Sequence, residues 1–466
     1  MLTYSFEGIG STPLYEHLYA CIKRDISAGL LKAGERLPSK RSFASHLGVS
    51  TITVENAYGQ LISEGYIQAQ PKRGYFVADI LEIPKLEPIG PASEIQLPDA
   101  PACRIDLSGN QTNPRNFPFS TWAKLMRETI SEKNDALMIN APCGGIPALR
   151  EAIAGHLLSF RGMRVRPEQI VVGAGTEYLY GMLLQLLGRD KVYCVEDPGH
   201  RKIAQIYLSS GVDCRFAPLD AQGLTVEGLN AAGANIAHIS PTHHFPTGIT
   251  MPVRRRYELL AWANESEGRY IIEDDYDIEF RLNGKPIPSL QSIDMSERVI
   301  YMNTFSKSLA STIRISYMVL PVHLANRFYR RLSFYACTVS NFEQYTLARF
   351  IREGYFEKHI NRMRLFYARQ RQRVLDCLAA SALGAHCEII ERDSGLHFLL
   401  RFHTELPAAE LSRRFAARGI HLAALSDYCR NPEDSALPLF ILNYSNLELT
   451  ALGEAFEAIA DCLTDC

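Results

Sequence analysis

Between Leu149 and Arg314, short apolar runs alternate with segments whose apolar residues keep helical spacing. Each run stops at a turn-forming or polar group: Gln169-Ile170-Val171-Val172 before Gly173-Ala174-Gly175-Thr176, Val192-Tyr193-Cys194-Val195 before Glu196-Asp197-Pro198-Gly199, and Ala237-His238-Ile239-Ser240 before Pro241. Helical segments lie between them, such as Leu149 to Phe160 and the leucine-rich stretch through Leu179, Leu183 and Leu186. Few folds accept this pattern. Continuous apolar strands are buried on both faces, and strands joined by helices pair in parallel, so the region reads as an α/β sheet covered by helices.

Two further runs put chemistry at their ends. Ile271-Ile272 leads into Glu273-Asp274-Asp275-Tyr276, which reads as a buried strand carrying carboxylates to its C-terminal tip. Val299 to Met302 leads into Thr304-Phe305-Ser306-Lys307, with Arg314 seven positions beyond the lysine. A lysine beside hydroxyls and an arginine is one way to hold an aldehyde that carries a phosphate. The amine forms a Schiff base, while the hydroxyls and guanidinium take the phosphate. Taken alone, a Ser-Lys pair at a strand end is more often a solvated lysine. The turn Gly173-Ala174-Gly175-Thr176 offers an anion site, because free N–H groups and a helix dipole meet at one spot, although such turns occur in any α/β protein.

Composition limits the remaining choices. The 466 residues suffice for two or three domains, and the formal charge of −2 gives no global drive toward nucleic acid or membrane. No apolar stretch is long enough to span a bilayer and no leader pattern opens the chain, which points to a cytoplasmic protein. Eleven cysteines without a Cys-x-x-Cys pair imply reduced thiols, with neither a disulfide framework nor a metal site.

The first eighty residues have their own pattern. Leu14, Leu18, Ile22 and Ile26 share a helical face, and Gly29 follows. Ser39 is placed to cap a short helix ended by Gly48, and Ser50 to cap a third with Val54, Ala57, Tyr58 and Leu61 on its inner side. Thr51, Thr53 and Asn56 then face outward, as in a helix-turn-helix. Residues 66–69 and 74–77 read as a hairpin with Lys72 and Arg73 at its tip, a wing. Eight basic against seven acidic residues make the segment nearly neutral, but Lys40, Arg41, Lys72 and Arg73 sit where phosphates would lie. The order of Leu37-Pro38-Ser39-Lys40-Arg41, Leu47-Gly48-Val49-Ser50, Thr53-Val54 and Glu64-Gly65-Tyr66 resembles the GntR-type winged helix-turn-helix. That resemblance implies double-stranded DNA as partner and Ser39, Arg41, Ser50, Thr51, Thr53, Arg73 and Gly74 as contact residues. Thr51 departs from the arginine usual in the family. The other reading of these helices is an oligomerisation module.

Residues 80–105 hold Pro84, Pro88, Pro91, Pro98 and Pro101 and read as a semi-extended tether. After Pro321 the pattern changes to long helices, strand-like segments at 395–401 and 439–443, and a last helix from about Glu448 to Leu463. The expected boundaries are therefore a winged helix at 1–79, the tether at 80–105, a large α/β domain at 106–325 and a smaller α+β domain at 326–466.

Gly-Ala-Gly-Thr, Pro246-Thr247-Gly248, Glu-Asp-Asp-Tyr and Thr-Phe-Ser-Lys with Arg314 stand in an order that resembles the fold-type I aminotransferases, which bind pyridoxal phosphate (PLP). Behind a GntR-type head, the chain resembles the MocR/GabR-type transcriptional regulators over nearly everything except the tether. The resemblance implies that Lys307 carries the cofactor, Asp274 pairs with the pyridine nitrogen and Tyr276 bonds the ring 3-oxygen. It also implies that Gly175, Thr176, Thr304, Ser306 and Arg314 share the phosphate. A protonated ring is the electron sink that stabilises a carbanion at a bound amine. Three positions depart from the family: Asn140 stands where a tyrosine usually reaches the partner subunit's phosphate, His200 where an aromatic stacks on the ring, and Phe245 where an asparagine precedes Pro-Thr-Gly. His243 or His244 is a candidate to supply the hydrogen bond that Phe245 cannot. The strand 440–444 lacks the arginine that usually holds a substrate carboxylate, and Arg430 is the candidate in its place.

Two functions follow. One is a DNA-binding regulator that senses an amino acid, an amine or PLP itself, acting as a homodimer on a two-part site. The other is an aminotransferase with catalytic turnover. The complete winged helix and the three departures favour the regulator. A scaffold that has lost PLP is disfavoured because Lys307, Asp274, Tyr276 and Arg314 are all present.

Overall fold

A computed structural model describes residues 2–6, 10–79, 97, 103–281, 287–390, 395–434 and 437–464. The chain divides into two compact units, 1–100 and 101–466.

In the first unit, α1 (Leu14–Ser27), α2 (Lys40–Leu47) and α3 (Thr51–Ser63) surround a core that includes Leu18, Ile22, Phe43, Val54, Tyr58 and Leu61. The Ser39 hydroxyl accepts the N–H of Ser42 at the start of α2, and that of Ser50 accepts the N–H of Thr53 at the start of α3. Each bond satisfies a backbone donor that a helix start leaves free. Gly48 ends α2 at φ 69°, a left-handed conformation that glycine takes without penalty. The sheet holds β1 (Arg36–Leu37), β2 (Ile67–Gln70) and β3 (Gly74–Val77), with β3 in the middle and both pairings antiparallel. The wing therefore has a third strand. At two residues, β1 is too short to show an alternating pattern in sequence.

The five prolines expected in the tether lie outside the described residues. The final two tether positions are described and are not free chain: the N–H groups of Arg104 and Ile105 donate to the Gly419 carbonyl, and β4 (Ile105–Asp106) pairs with a strand near the C-terminus.

In the second unit, α4 (Phe119–Glu132), α5 (Asn134–Leu137) and α6 (Pro147–Arg161) precede an eight-stranded mixed sheet. Its strands are β5 (Ile170–Gly173), β6 (Val192–Asp197), β7 (Asp213–Asp220), β8 (Gly223–Leu224), β9 (Ile236–Ile239), β10 (Tyr270–Asp274), β11 (Val299–Thr304) and β12 (Ser316–Val319), in the order β5-β12-β11-β10-β9-β6-β7-β8. The five strands β7, β6, β9, β10 and β11 are parallel, whereas β12 runs antiparallel to both β11 and β5. Neighbouring residues serve opposite faces. Val171, Ile272, Ile300 and Met318 pack under α7 (Thr176–Leu187) and the helix Val322–Leu332, while Val172, Tyr301, Tyr317 and Val319 join a core with α6 and the helices Asn341–Arg352 and Tyr355–Ala380. Cover on both faces is why the strands read as continuous apolar runs.

The expected boundary at 325/326 falls inside the helix Val322–Leu332. Leu324, Ala325, Phe328 and Leu332 share one cluster with α7, so the helix stays with the large sheet. Beyond it, β13 (Cys387–Ile390), β14 (His397–Phe402), β16 (Ala423–Ala424) and β17 (Leu439–Asn443) form an antiparallel sheet, while β15 (Ile420–His421) is the partner of β4. The last α-helix starts at Leu452, after a 3₁₀ turn over Leu449–Ala451. Among the described residues no helix is long and apolar enough to cross a membrane.

Candidate functional site

The parallel register of β10 and β11 sets Asp274 beside Met302, so the residues that follow both strands emerge at one edge of the sheet. A cavity of about 300 Å³ opens there, and Asp274, Tyr276, Thr304, Ser306, Lys307 and Arg314 all line it. Residues far apart in the chain thus share one space because neighbouring parallel strands end together.

Lys307 lies on the short helix Phe305–Ser308, which Thr304 caps by accepting the N–H of Ser306. Its Nζ donates to both the backbone carbonyl and the side-chain oxygen of Asn110. Burial lowers its pKa to about 8, against a smaller opposing pull from Asp277. An amine so placed is deprotonated far more often than an exposed lysine, which is what nucleophilic attack on a carbonyl needs.

Asp274 is held from behind. Its Oδ2 accepts the Tyr180 hydroxyl at 2.5 Å and lies 3.5 Å from His238 Nε2, while the Tyr207 hydroxyl and His238 Nδ1 are 2.7 Å apart. Its Oδ1 is buried and has no hydrogen-bond partner among the described residues. A carboxylate oxygen left bare in the interior is costly unless something pairs with it. Tyr276 donates to the His243 carbonyl at 3.0 Å, and burial, followed by the nearby Asp277 and Asp274, holds its phenol well above the usual tyrosine range.

The other end of the cavity is built for an anion. Gly175 precedes α7 at φ 92°, and a Cβ there would lie 2.5 Å from Arg314 Nη2, so only glycine lets the guanidinium approach the helix start. Thr176 lines the cavity, and Arg314 Nη2 donates at 3.0 Å to Glu177, which also pairs with Lys202. The Thr304 hydroxyl accepts from Ser316 at 2.8 Å, and that of Ser306 donates to the Ile313 carbonyl at 2.9 Å. His200 and Phe245 form a tilted pair in the wall, with ring centroids 5.7 Å apart.

Four of the positions singled out around the cofactor, Arg430, His243, His244 and Asn140, do not line this cavity. Arg430 does not line the cavity: its guanidinium lies 5.1 Å from the Phe216 ring centroid, and its backbone N–H donates to Asp197. His243 and His244 do not line it either, since His243 sits 2.9 Å from Asp277 and His244 bonds Thr247 at 2.7 Å with Glu196 at 3.3 Å. Asn140 is exposed on the loop before α6. Sequence reasoning overlooked Tyr180, His238, Asn110 and Glu177. The apolar or turn-like surroundings of Tyr180, Asn110 and Glu177 carry no signal. A histidine within the apolar run of β9 was the one available hint.

On the winged helix, Ser39 and Ser50 are caps, Arg41 and Thr51 are exposed, and the Thr53 hydroxyl lies 2.8 Å from that of Ser50. Arg73 stands 5.7 Å from the Phe76 ring centroid, and Gly74 at φ 114° leaves room for the Arg36 guanidinium. Lys40, expected at the phosphates, pairs with Glu55 at 2.7 Å.

Residues 14–77 match the bacterial regulatory proteins of the gntR family, and residues 104–430 match the aminotransferase class I and II family. The uncharacterized HTH-type transcriptional regulator YdeL of Bacillus subtilis is 36% identical over 94% of this chain and 94% of its own. The probable rhizopine catabolism regulatory protein MocR of Rhizobium meliloti is 32% identical over 96% and 93%. The pyridoxine biosynthesis regulator PdxR of Corynebacterium glutamicum is 30% identical over 87% of each. Among solved structures, the multiple substrate aminotransferase of Thermococcus profundus superposes with a TM-score of 0.69 at 24% identity, over 79% of this chain and 92% of that one, a likeness of fold. With two relatives above 30% identity aligned nearly end to end, the chain belongs to the MocR-type HTH transcriptional regulators, which join a gntR-family winged helix to an aminotransferase class I and II domain.

Proposed function

We propose that the cavity holds PLP on Lys307 and that the loaded site senses an amino compound on behalf of the DNA-binding head. The observation that carries this is the pairing, in one cavity, of a half-buried lysine with a lowered pKa and a buried carboxylate that has one oxygen unused. The residues present fit the cofactor. Asp274 Oδ1 lacks the partner that a pyridinium N–H would provide, and the Gly175–Arg314 approach at the start of α7 makes a cradle for a phosphate that a Cβ would fill. When bound, PLP supplies an electrophilic carbon for amines and a ring that withdraws electrons.

The protein's own groups then have distinct tasks. Lys307 Nζ provides the nucleophile and, on release, returns to the oxygens of Asn110. Tyr180 fixes the rotamer of Asp274, so its free oxygen keeps one direction. Tyr276 stays a phenol whose O–H is taken by the His243 carbonyl, so its oxygen lone pairs are what it offers the cavity. Arg314 and the N–H groups at the start of α7 hold negative charge, for which Glu177 competes. His200 and Phe245 close one wall and exclude water there. The effector is an amino acid, an amine or PLP itself, and the working unit is a homodimer on a two-part operator. Relatives named for pyridoxine biosynthesis and rhizopine catabolism support a small-molecule response.

The test uses purified full-length protein. Titration with PLP should give a visible band, borohydride should bleach it while leaving the cofactor covalently attached, and Lys307→Ala should abolish both the band and the attachment. Amines are then screened for a shift of this band and for a change in retardation of DNA from upstream of the protein's own gene. Absence of the band, or its persistence in Lys307→Ala, refutes the cofactor reading. Sustained turnover with an amino acid and a keto acid, without any change in DNA binding, would make the chain an aminotransferase.

A further inference from the structure

The outer face of α3 shows something the capping and core residues do not explain. Val54, Ala57, Tyr58 and Leu61 are buried, which leaves Ile52, Asn56 and Gly59 in line along the opposite side at helical spacing. Ile52 is 68% exposed. A β-branched residue in an exposed first turn adds nothing to helix propensity and leaves apolar surface in water, so folding does not call for it. A Cβ on Gly59 would meet nothing within 4 Å, so the ridge ends in bare backbone that another surface can approach closely. The only acid within residues 51–63, Glu55, is engaged by Lys40 at 2.7 Å, and the same residues contain no lysine or arginine.

A major groove displays four chemistries. Guanine is read by arginine or lysine, adenine by the amide of asparagine or glutamine, cytosine by an acid, and thymine through its methyl group by apolar side chains. On this helix, the guanine reader is absent, the cytosine reader is occupied, and a methyl-bearing side chain stands one turn from an amide. We propose that Ile52 is a specificity-determining residue that packs on thymine methyl groups while Asn56 reads an adjacent adenine, so that the recognition sequence of this helix is A·T-rich. Arg41, Arg73 and Arg36, on α2 and the wing, supply the phosphate contacts that hold the helix in place. This rests on the DNA-binding role that the gntR-family match implies.

The full-length protein is used to select duplexes from a random pool, and affinities are measured on the selected duplex, on a copy with deoxyuridine in place of thymidine, and on a scrambled duplex. The selected half-site is expected to be A·T-rich. Loss of the methyl groups should weaken binding about four-fold for each one contacted. Ile52→Ala should lose the same factor and no longer respond to deoxyuridine, whereas Ile52→Val should retain the response. Binding to the scrambled duplex should be unchanged in all variants. A G·C-rich selected site, or Ile52→Ala with wild-type affinity and an intact deoxyuridine effect, would overturn the thymine assignment while leaving DNA binding in place. A pool that yields no sequence above non-specific binding would overturn both.

Discussion

Asp274→Asn separates the proposed cofactor role of this residue from a structural one. The asparagine keeps the volume, and its side-chain oxygen can still accept the Tyr180 hydroxyl that bonds Oδ2 at 2.5 Å. What disappears is a negative charge whose second oxygen is buried without a partner. In the PLP-bound protein that oxygen would face the ring nitrogen. A hydrogen bond between charged partners is worth roughly 1.5–3 kcal/mol, so PLP should bind about 10- to 150-fold more weakly. In the cofactor-free protein the exchange removes an uncompensated interior charge, and thermal stability should hold or rise. The assay is a PLP titration followed by absorbance, alongside thermal unfolding of cofactor-free wild type and variant. If Asp274→Asn binds PLP as tightly as wild type, the pairing with the ring nitrogen is wrong. If cofactor-free melting falls in step with affinity, Asp274 is structural.

Other outcomes follow from the same geometry. Burial lowers the Lys307 pKa to about 8, so the rate of PLP capture should rise with pH through about 8 and then level off, instead of climbing toward the ordinary lysine value. Between about 8 and that ordinary value the unfolded chain holds a proton that the folded one lacks, so the lysine makes cofactor-free stability increase with pH over this window and contributes no pH dependence below it. Stopped-flow absorbance and pH-dependent denaturation check the two halves. Gly175→Ala forces a Cβ to within 2.5 Å of Arg314 Nη2 at φ 92°, and should cost about 1–3 kcal/mol of stability and weaken PLP binding, both measurable by melting with and without cofactor. Glu177→Gln frees Arg314 and Lys202 from their shared carboxylate and should tighten PLP a few-fold, since such half-exposed pairs are worth at most about 1 kcal/mol. Weaker binding would mean that Glu177 positions the cations. Ser50→Ala removes the cap of α3 and should destabilise the head by about 1 kcal/mol, seen as faster amide exchange in α3, with weaker DNA retardation.

The sequence alone determined what depends on neighbours along the chain. Caps at Ser39 and Ser50, the stop at Gly48, the buried face of α3 and the strand ends carrying Asp274, Tyr276, Lys307 and Arg314 are local patterns. A strand's polar ending is written in consecutive residues, and parallel strands place their endings together. Tertiary structure decided which other groups meet those endings. Tyr180 and His238 reach Asp274 from a leucine-rich helix and from mid-strand, and Asn110 reaches Lys307 across 197 positions. Arg430, a candidate by residue type, turned instead onto the ring of Phe216, and Lys40 found Glu55 as a neighbour. The two-residue strand β1 and the adhesion of Arg104 and Ile105 to Gly419 were likewise invisible, because their partners lie elsewhere in the chain. Residue type and spacing specify what a side chain can do. Which partner it finds depends on the packing of distant elements, and that packing selects among groups that look equivalent in one dimension.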